Sequence, residues 1–220
     1  MIGLGFGNFQ AVTQAPFSFG NALQFDKVND YVSFSNITTT TTWTISFWFK
    51  YNTGMFFSNF GASNQFIQSF NTTNLRIVTG ADSRFYAVPA MTIGTWYHCF
   101  ISINAGTARL YLNGVQSSNG AQTNNTSITL NAMGTFNGGS FYFGGALDEV
   151  GILTGVAGTA QNAIDLYNSG NGANFEAIMG SSTAYWRMNQ SGTDTIAIDE
   201  NAAHNGTLNN FPASGMWVAH

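Results

Sequence analysis

The sequence predicts an all-β fold, a sandwich of two antiparallel sheets, and three observations carry that prediction. Aromatic and β-branched residues alternate along short stretches, most clearly at 96–103 and 108–112. Turn residues recur between such stretches, with Asn104-Ala105-Gly106 and Asn113-Gly114 as the strongest hairpin signals. Two consecutive hairpins with large side chains on one face also require a second sheet to cover them. At 220 residues the chain can hold one domain of the larger all-β kind.

In chain order, residues 1–20 set Phe6, Phe9, Phe17 and Phe19 among glycines, with Pro16 breaking any ladder. They read either as an edge strand completing the sandwich or as an arm docking its aromatics on a neighbouring subunit. Short strands flank Asn29-Asp30 within 21–34, and a threonine-rich loop at 38–42 leads into 43–49. There Trp43, Ile45, Phe47 and Phe49 share one face, and Trp48 stands on the other, exposed or covered. Strands are expected at 55–58, 66–70, 75–78 and 84–87, then, beyond the central hairpins, at 127–133 and 140–144.

One short helix is expected near 159–168. Thr159 caps it, Ala160, Ala163, Ile164 and Tyr167 form its apolar stripe, and Asn168-Ser169-Gly170 ends it. Residues 171–220 read as an extension returning a strand pair to the N-terminal part of the sandwich, which leaves Trp217 needing a partner inside it or in another subunit. The organisation is thus arm or edge strand at 1–20, sandwich at 21–170 and extension at 171–220.

Several stretches resemble one family. Trp96-Tyr97-His98 followed by Leu110-Tyr111-Leu112-Asn113-Gly114 is similar to the core motif of laminin G-like domains, which have the concanavalin A-like lectin and glucanase fold. Residues 22–26 with Asn29-Asp30-Tyr31-Val32 resemble the family's opening block, with Lys27 where glycine is usual, and Gly145-Ala146-Leu147-Asp148-Glu149-Val150 resembles its closing strand. Residues 184–189, with Gly192-Thr193, Asp199 and 205–210, resemble a segment of laminin G-like proteins from bacteriophage particles.

The resemblance implies a concanavalin A-like jelly roll and a non-catalytic protein of a bacteriophage virion surface: a decoration, spike or fibre head. Such a protein is expected to be homo-oligomeric, to contact other virion subunits and to bind host surface glycans. The N-terminus lacks the basic and continuous apolar regions of an export signal, in keeping with assembly in the host cytoplasm. A secreted bacterial carbohydrate-binding or adhesion module, extracellular, is the alternative, and a polysaccharide-degrading enzyme is the third reading.

Composition narrows the partners. Charged residues make up 7% of the chain, the net charge is −4, and the six cations are scattered at Lys27, Lys50, Arg76, Arg84, Arg109 and Arg187. No basic stripe offers itself to nucleic acid. No apolar run approaches the ~20 residues of a membrane-spanning helix. Cys99 is the only cysteine, so no intramolecular disulfide forms, and its place in a core strand marks it as an inert buried thiol.

Catalysis is not expected. Glycan cleavage needs paired carboxylates on one face, but the glutamates are only Glu149, Glu176 and Glu200, and a regular strand points the adjacent Asp148 and Glu149 to opposite faces. A lyase constellation of Tyr97, His98 and Arg109 fails on the same alternation, and no His/Cys pair has zinc spacing. The resemblance implies instead a structural calcium held by Asp26, Asp30 and Asp148, although Asp26 can equally fix a turn through backbone N–H groups. For glycan binding the loop 80–86 has the right mixture of residues, with Asp82, Arg84 and Tyr86 as candidates, and so does 56–66.

Overall fold

The computed structural model describes residues 17–124, 127–137 and 139–220. The chain opens with β1 (Asn21–Asp26), β2 (Tyr31–Thr38), β3 (Trp43–Lys50) and β4 (Gly54–Ser58), then runs through β5 (Gln65–Asn71), β6 (Asn74–Thr79) and β7 (Asp82–Ala87). The long hairpin β8 (Trp96–Asn104) and β9 (Thr107–Leu112) leads to the short β10 (Val115–Gln116) and β11 (Gln122–Thr123), then to β12 (Thr129–Met133) and β13 (Gly144–Thr154). Helices α1 (Ala160–Tyr167) and α2 (Phe175–Met179) precede β14 (Ala184–Trp186), β15 (Ile196–Ala197), β16 (Gly206–Asn209) and β17 (Trp217–Ala219).

These strands form two antiparallel sheets, as the alternating pattern predicts. One runs β10-β9-β8-β3-β13-β1-β17, with β11 on β9 and β14 on β13; the other runs β15-β16-β2-β12-β4-β5-β6-β7. The core between them is strongly aromatic, with Trp43, Phe47, Phe49, Phe56, Phe57 and Trp186 fully buried. The last fifty residues supply strands to both sheets, β17 beside β1 and β16 beside β2. Trp217 finds its partner inside the sandwich, where it joins the core and its indole N–H donates to the Asp194 carbonyl.

At the free edge of β7, amide side chains take the place of a further strand. Asn119 and Gln122 donate to the Phe85 carbonyl, and the Ala87 N–H donates to Asn119.

The outer face of the nine-stranded sheet is roofed by the chain itself. Phe100, Tyr111, Leu153, Phe175 and Tyr185 pack there with Ala163 and Leu166 of α1. Thr159 caps α1 as expected, through a reciprocal pairing with Asn162. The predicted stripe is partly corrected: Leu166 is buried with Ala163, whereas Ile164 is half exposed, because the helix meets the sheet along i and i+3. Trp48 is covered, lying beside Tyr167, Phe19 and His220. Phe19 stacks on His220, so this end of the predicted arm docks on its own chain; Phe6, Phe9 and Pro16 lie outside the described residues.

One expectation is overturned in β13. Asp148 pairs with Trp48 but Gly151 with Ser46, so an extra residue is inserted, and Glu149 takes φ +48°. The bulge turns both neighbouring carboxyls to the same outer face. Asp148 bonds the imidazole of the stacked His220 at 2.7 Å and the Glu149 N–H at 2.8 Å. Glu149 accepts from the Tyr185 hydroxyl and, at 3.3 Å, from Arg187.

Burial, reinforced by Asp148, pushes the Glu149 carboxyl up to about 8, and burial raises Asp148 well above the usual carboxylate range. A carboxyl raised on folding holds a proton that the unfolded chain has released, so its contribution to stability shrinks as pH climbs toward the folded pKa. Buried His98 and His220, depressed to about 3 and about 4 by desolvation, contribute the opposite slope while the unfolded histidines titrate near 6.5, so the window for Glu149 runs from about pH 7.5 to 8.5. The melting temperature is expected to fall across it, with Glu149→Gln flattening the slope; a flat parent profile would contradict the buried acids. Close packing of the roof gives a second expectation. A Cβ on Gly151 would lie 2.4 Å from the Phe175 ring, so Gly151→Ala is expected to destabilise by about 1–3 kcal/mol in denaturant melts, with Phe175→Leu recovering part of the loss.

Candidate functional site

The face of β4–β7 turned away from the core is not roofed, and a large depression lies there. Antiparallel register sets Met55, Gln68, Arg76 and Phe85 in one row across these strands, and Phe66, Val78 and Ser83 in the next. Met55, Phe66 and Val78 form a small apolar floor with Phe136. The loop through Phe136, Phe141 and Tyr142 makes one wall and encloses about 890 Å³. That loop comes close because of Gly54: at φ +137°, a side chain there would meet the Tyr142 carbonyl at 2.5 Å.

The groove mixes exposed rings with polar groups. Phe70, Phe85 and Phe141 are 49%, 40% and 73% exposed, whereas ten of the eighteen described phenylalanines are buried. Phe85 and Phe70 meet edge to face at 4.8 Å. The Arg76 guanidinium lies 5.3 Å from the Phe66 ring and 5.2 Å from the Phe85 ring, with its Nε–H donating to the Ser83 hydroxyl at 3.0 Å. Lys27, Asn64 and Gln68 add further polar groups to the lining. A second depression of about 410 Å³, lined by Lys50, Tyr51, Asn52 and Ile93 among others, adjoins the first and shares Lys27 with it.

The candidates read from the sequence fall elsewhere. Arg84 and Tyr86 stand in the rows of Ile77 and Leu75, which belong to the core. Tyr86 is completely buried and Arg84 pairs with Asp82 at 3.4 Å while bonding the Thr123 carbonyl. The alternate residues of the same stretch face the groove side: Ser83 lines the groove, and Phe85 packs against its Arg76 and Phe70. Gln68, Arg76 and Phe141 went unremarked as site residues, and only the cross-strand register brings the first two beside Phe85.

Asp26, Asp30 and Asp148 do not converge. Asp26 pairs with Gly144, four positions along β13 from Asp148, or about 13 Å at strand rise. Asp26 Oδ1 accepts the N–H groups of Val28, Asn29 and Asp30 at 2.7, 3.2 and 3.4 Å, which is the turn-fixing role. Burial opposes its ionisation, but these bonds outweigh that and hold it below the usual range. Asp30 is buried and pushed up to about 6. Among the described residues no three His, Cys, Asp or Glu side chains gather as a metal centre would require.

The lyase set is also scattered. His98 is buried, bonded to the Ser46 hydroxyl at 2.8 Å and depressed by desolvation to about 3. Tyr97 packs on the opposite side of the sheet against Phe49, and Arg109 pairs with Ser102, four positions from His98. Asp148 and Glu149 share a face, yet are 0% and 3% exposed beneath His220, Tyr185 and Arg187, out of reach of a polysaccharide. Glu176 caps the Ser182 turn and Glu200 is exposed. Among the described residues no helix is long and apolar enough to cross a membrane.

Known structures share this architecture. A proposed carbohydrate binding protein from Bacteroides ovatus superposes with a TM-score of 0.68 at 17% identity, over 89% of this chain and 59% of that one, so the chain spans about three fifths of its length. Domain 4 of the extracellular arabinanase AbnA from Geobacillus stearothermophilus, solved with arabinotriose, gives 0.54 at 21% identity, over 69% and 78%. A heptameric SAP-like pentraxin from Limulus polyphemus gives 0.55 at 18%, over 67% and 82%. At these identities the likeness is one of fold. No curated protein matches the sequence. The family model for the concanavalin A-like lectin/glucanases superfamily matches residues 26–162, more than half of the sequence, and with the two-sheet architecture above, the chain belongs to that superfamily as a laminin G-like domain.

Proposed function

We propose that this chain is a non-catalytic glycan-binding module whose groove over β4–β7 receives a short stretch of polysaccharide. The observation that carries the reading is the pair of exposed phenylalanines in the lining, Phe70 and Phe141, with exposed Phe85 packed edge to face on Phe70, above an apolar floor beside the Gln68 amide. Sugar rings have apolar C–H faces that lie against aromatic side chains, and hydroxyl edges that exchange hydrogen bonds with amides. A volume near 890 Å³ falls within the ~300–1,000 Å³ usual for ligand sites. The descriptions of the Bacteroides protein and of the arabinanase domain support the reading from outside this chain.

The setting we propose is a bacteriophage virion surface, as a homo-oligomer contacting other virion subunits, with a host glycan as ligand. Its support is the likeness of residues 184–210 to phage-particle proteins. Mass spectrometry of purified particles is expected to find the chain in stoichiometric amount, and its absence from them would remove that setting while leaving the groove.

Binding is tested on a glycan array followed by calorimetry on the hits. Phe85→Ala and Phe141→Ala are each expected to weaken binding about 3- to 10-fold, since an aromatic contact contributes about 0.5–1.5 kcal/mol. Phe141, at 73% exposure, can be truncated within about 0.5 kcal/mol of parental stability. No binding across the array, or full affinity in both variants, would defeat the proposal.

A further inference from the structure

We infer that the glycan taken by this groove is acidic, carrying carboxylate or sulfate groups; the inference rests on the glycan-binding reading above. The chain has six Lys and Arg against ten Asp and Glu, so a surface drawn at random would be negative. The two adjoining depressions invert that balance. Lys27, Lys50 and Arg76 line them, and the only carboxylate in the lining is Asp26, whose Oδ1 is already engaged by three backbone N–H groups. Arg84, by contrast, is paired with Asp82, and Arg187 is engaged by the Glu149 carboxyl. Among the described residues neither Arg76 nor either lysine has an ion-pair partner.

Arg76 is held as an anion receptor would be. Two phenylalanine rings flank its guanidinium and Ser83 takes its Nε–H, which fixes the plane while its Nη groups make no hydrogen bond within the described protein. A planar fork fixed in advance loses little freedom on meeting a carboxylate or sulfate, and its bonds are charge-assisted.

Lys27 adds an independent sign. It has φ +68°, in the left-handed region that favours glycine, and stands where the resembling family usually has glycine. Strained non-glycine residues cluster at ligand sites. Its ammonium, donating to Thr53 Oγ1 at 2.8 Å, sits on the rim common to both depressions, where a chain passing from one to the other would meet it.

The test is calorimetry on the whole chain with oligogalacturonate, a heparin-derived oligosaccharide and a neutral galactan oligosaccharide, at 50 and 500 mM salt. An acidic probe is expected to bind at least about tenfold more tightly than the neutral one at low salt, as one charge-assisted pair allows, with the gap closing at high salt. Preference for oligogalacturonate assigns uronate and preference for heparin fragments assigns sulfate; both support the inference. Lys27→Gly, which relieves the backbone, is expected to keep or raise the melting temperature and still shrink the acidic-to-neutral affinity ratio several-fold, and Arg76→Met, which keeps apolar packing between the rings, to shrink it about tenfold. Equal affinity for neutral and acidic probes, or a ratio unmoved by both variants, overturns the acidic class and leaves the groove reading standing. Absence of binding to any of the probes, with none on the wider array, overturns both.

Discussion

Strand β13 is buried on both faces. Leu147, Val150 and Ile152 point into the sandwich, while Leu153 and the bare backbone of Gly151 lie under Phe175 and the other roof residues. The apolar part of its outer face cannot be left open to water, since that would expose apolar area worth roughly 25 cal/mol per Å². Helices α1 and α2, the Phe17–Phe19 segment and the C-terminal His220 supply the missing cover. With that sheet sealed, the face of β4–β7 turned from the core stays open, and the groove lies there.

How much of this was legible in the sequence depends on the kind of information. The all-β class, the capped helix at Thr159 and the core hairpin follow from period-two alternation and turn chemistry, which are local. Register is not local. In 43–49 nearly every residue is buried, whichever face it occupies, so alternation could not say whether Trp48 is covered. Bulges defeat it outright: the inserted residue at Glu149 puts two acids on one face, and the slip between Met55 and Phe57 sends both Phe56 and Phe57 inward. In 82–87 strict alternation places Arg84 and Tyr86 on the core side and Ser83 and Phe85 on the groove side, and which set faces which way is fixed only by the pairing with β6. Gln68 and Arg76, each on a different strand from Phe85, join it only through pairing that a linear reading does not contain.

Scarcity of charge shapes the electrostatics. With 7% charged residues, water-facing surface relies on amides and hydroxyls, and each ion stands out. Asp148 and Glu149 are spent under the roof, where desolvation favours their protonated forms. Their burial takes negative charge off the exterior near neutral pH, and makes the unpaired cations of the groove a larger share of what an approaching solute meets.

The amide-covered edge of β7 has a consequence of its own. Exposed β edges invite strand addition from another copy, the route to fibrils. Asn119 and Gln122 saturate the Phe85 carbonyl, and Asn119 also occupies the Ala87 N–H, so this margin offers few open backbone groups as a template. A protein with so little charge repulsion can therefore be displayed at high local density without zipping into filaments along the sheet beside its groove.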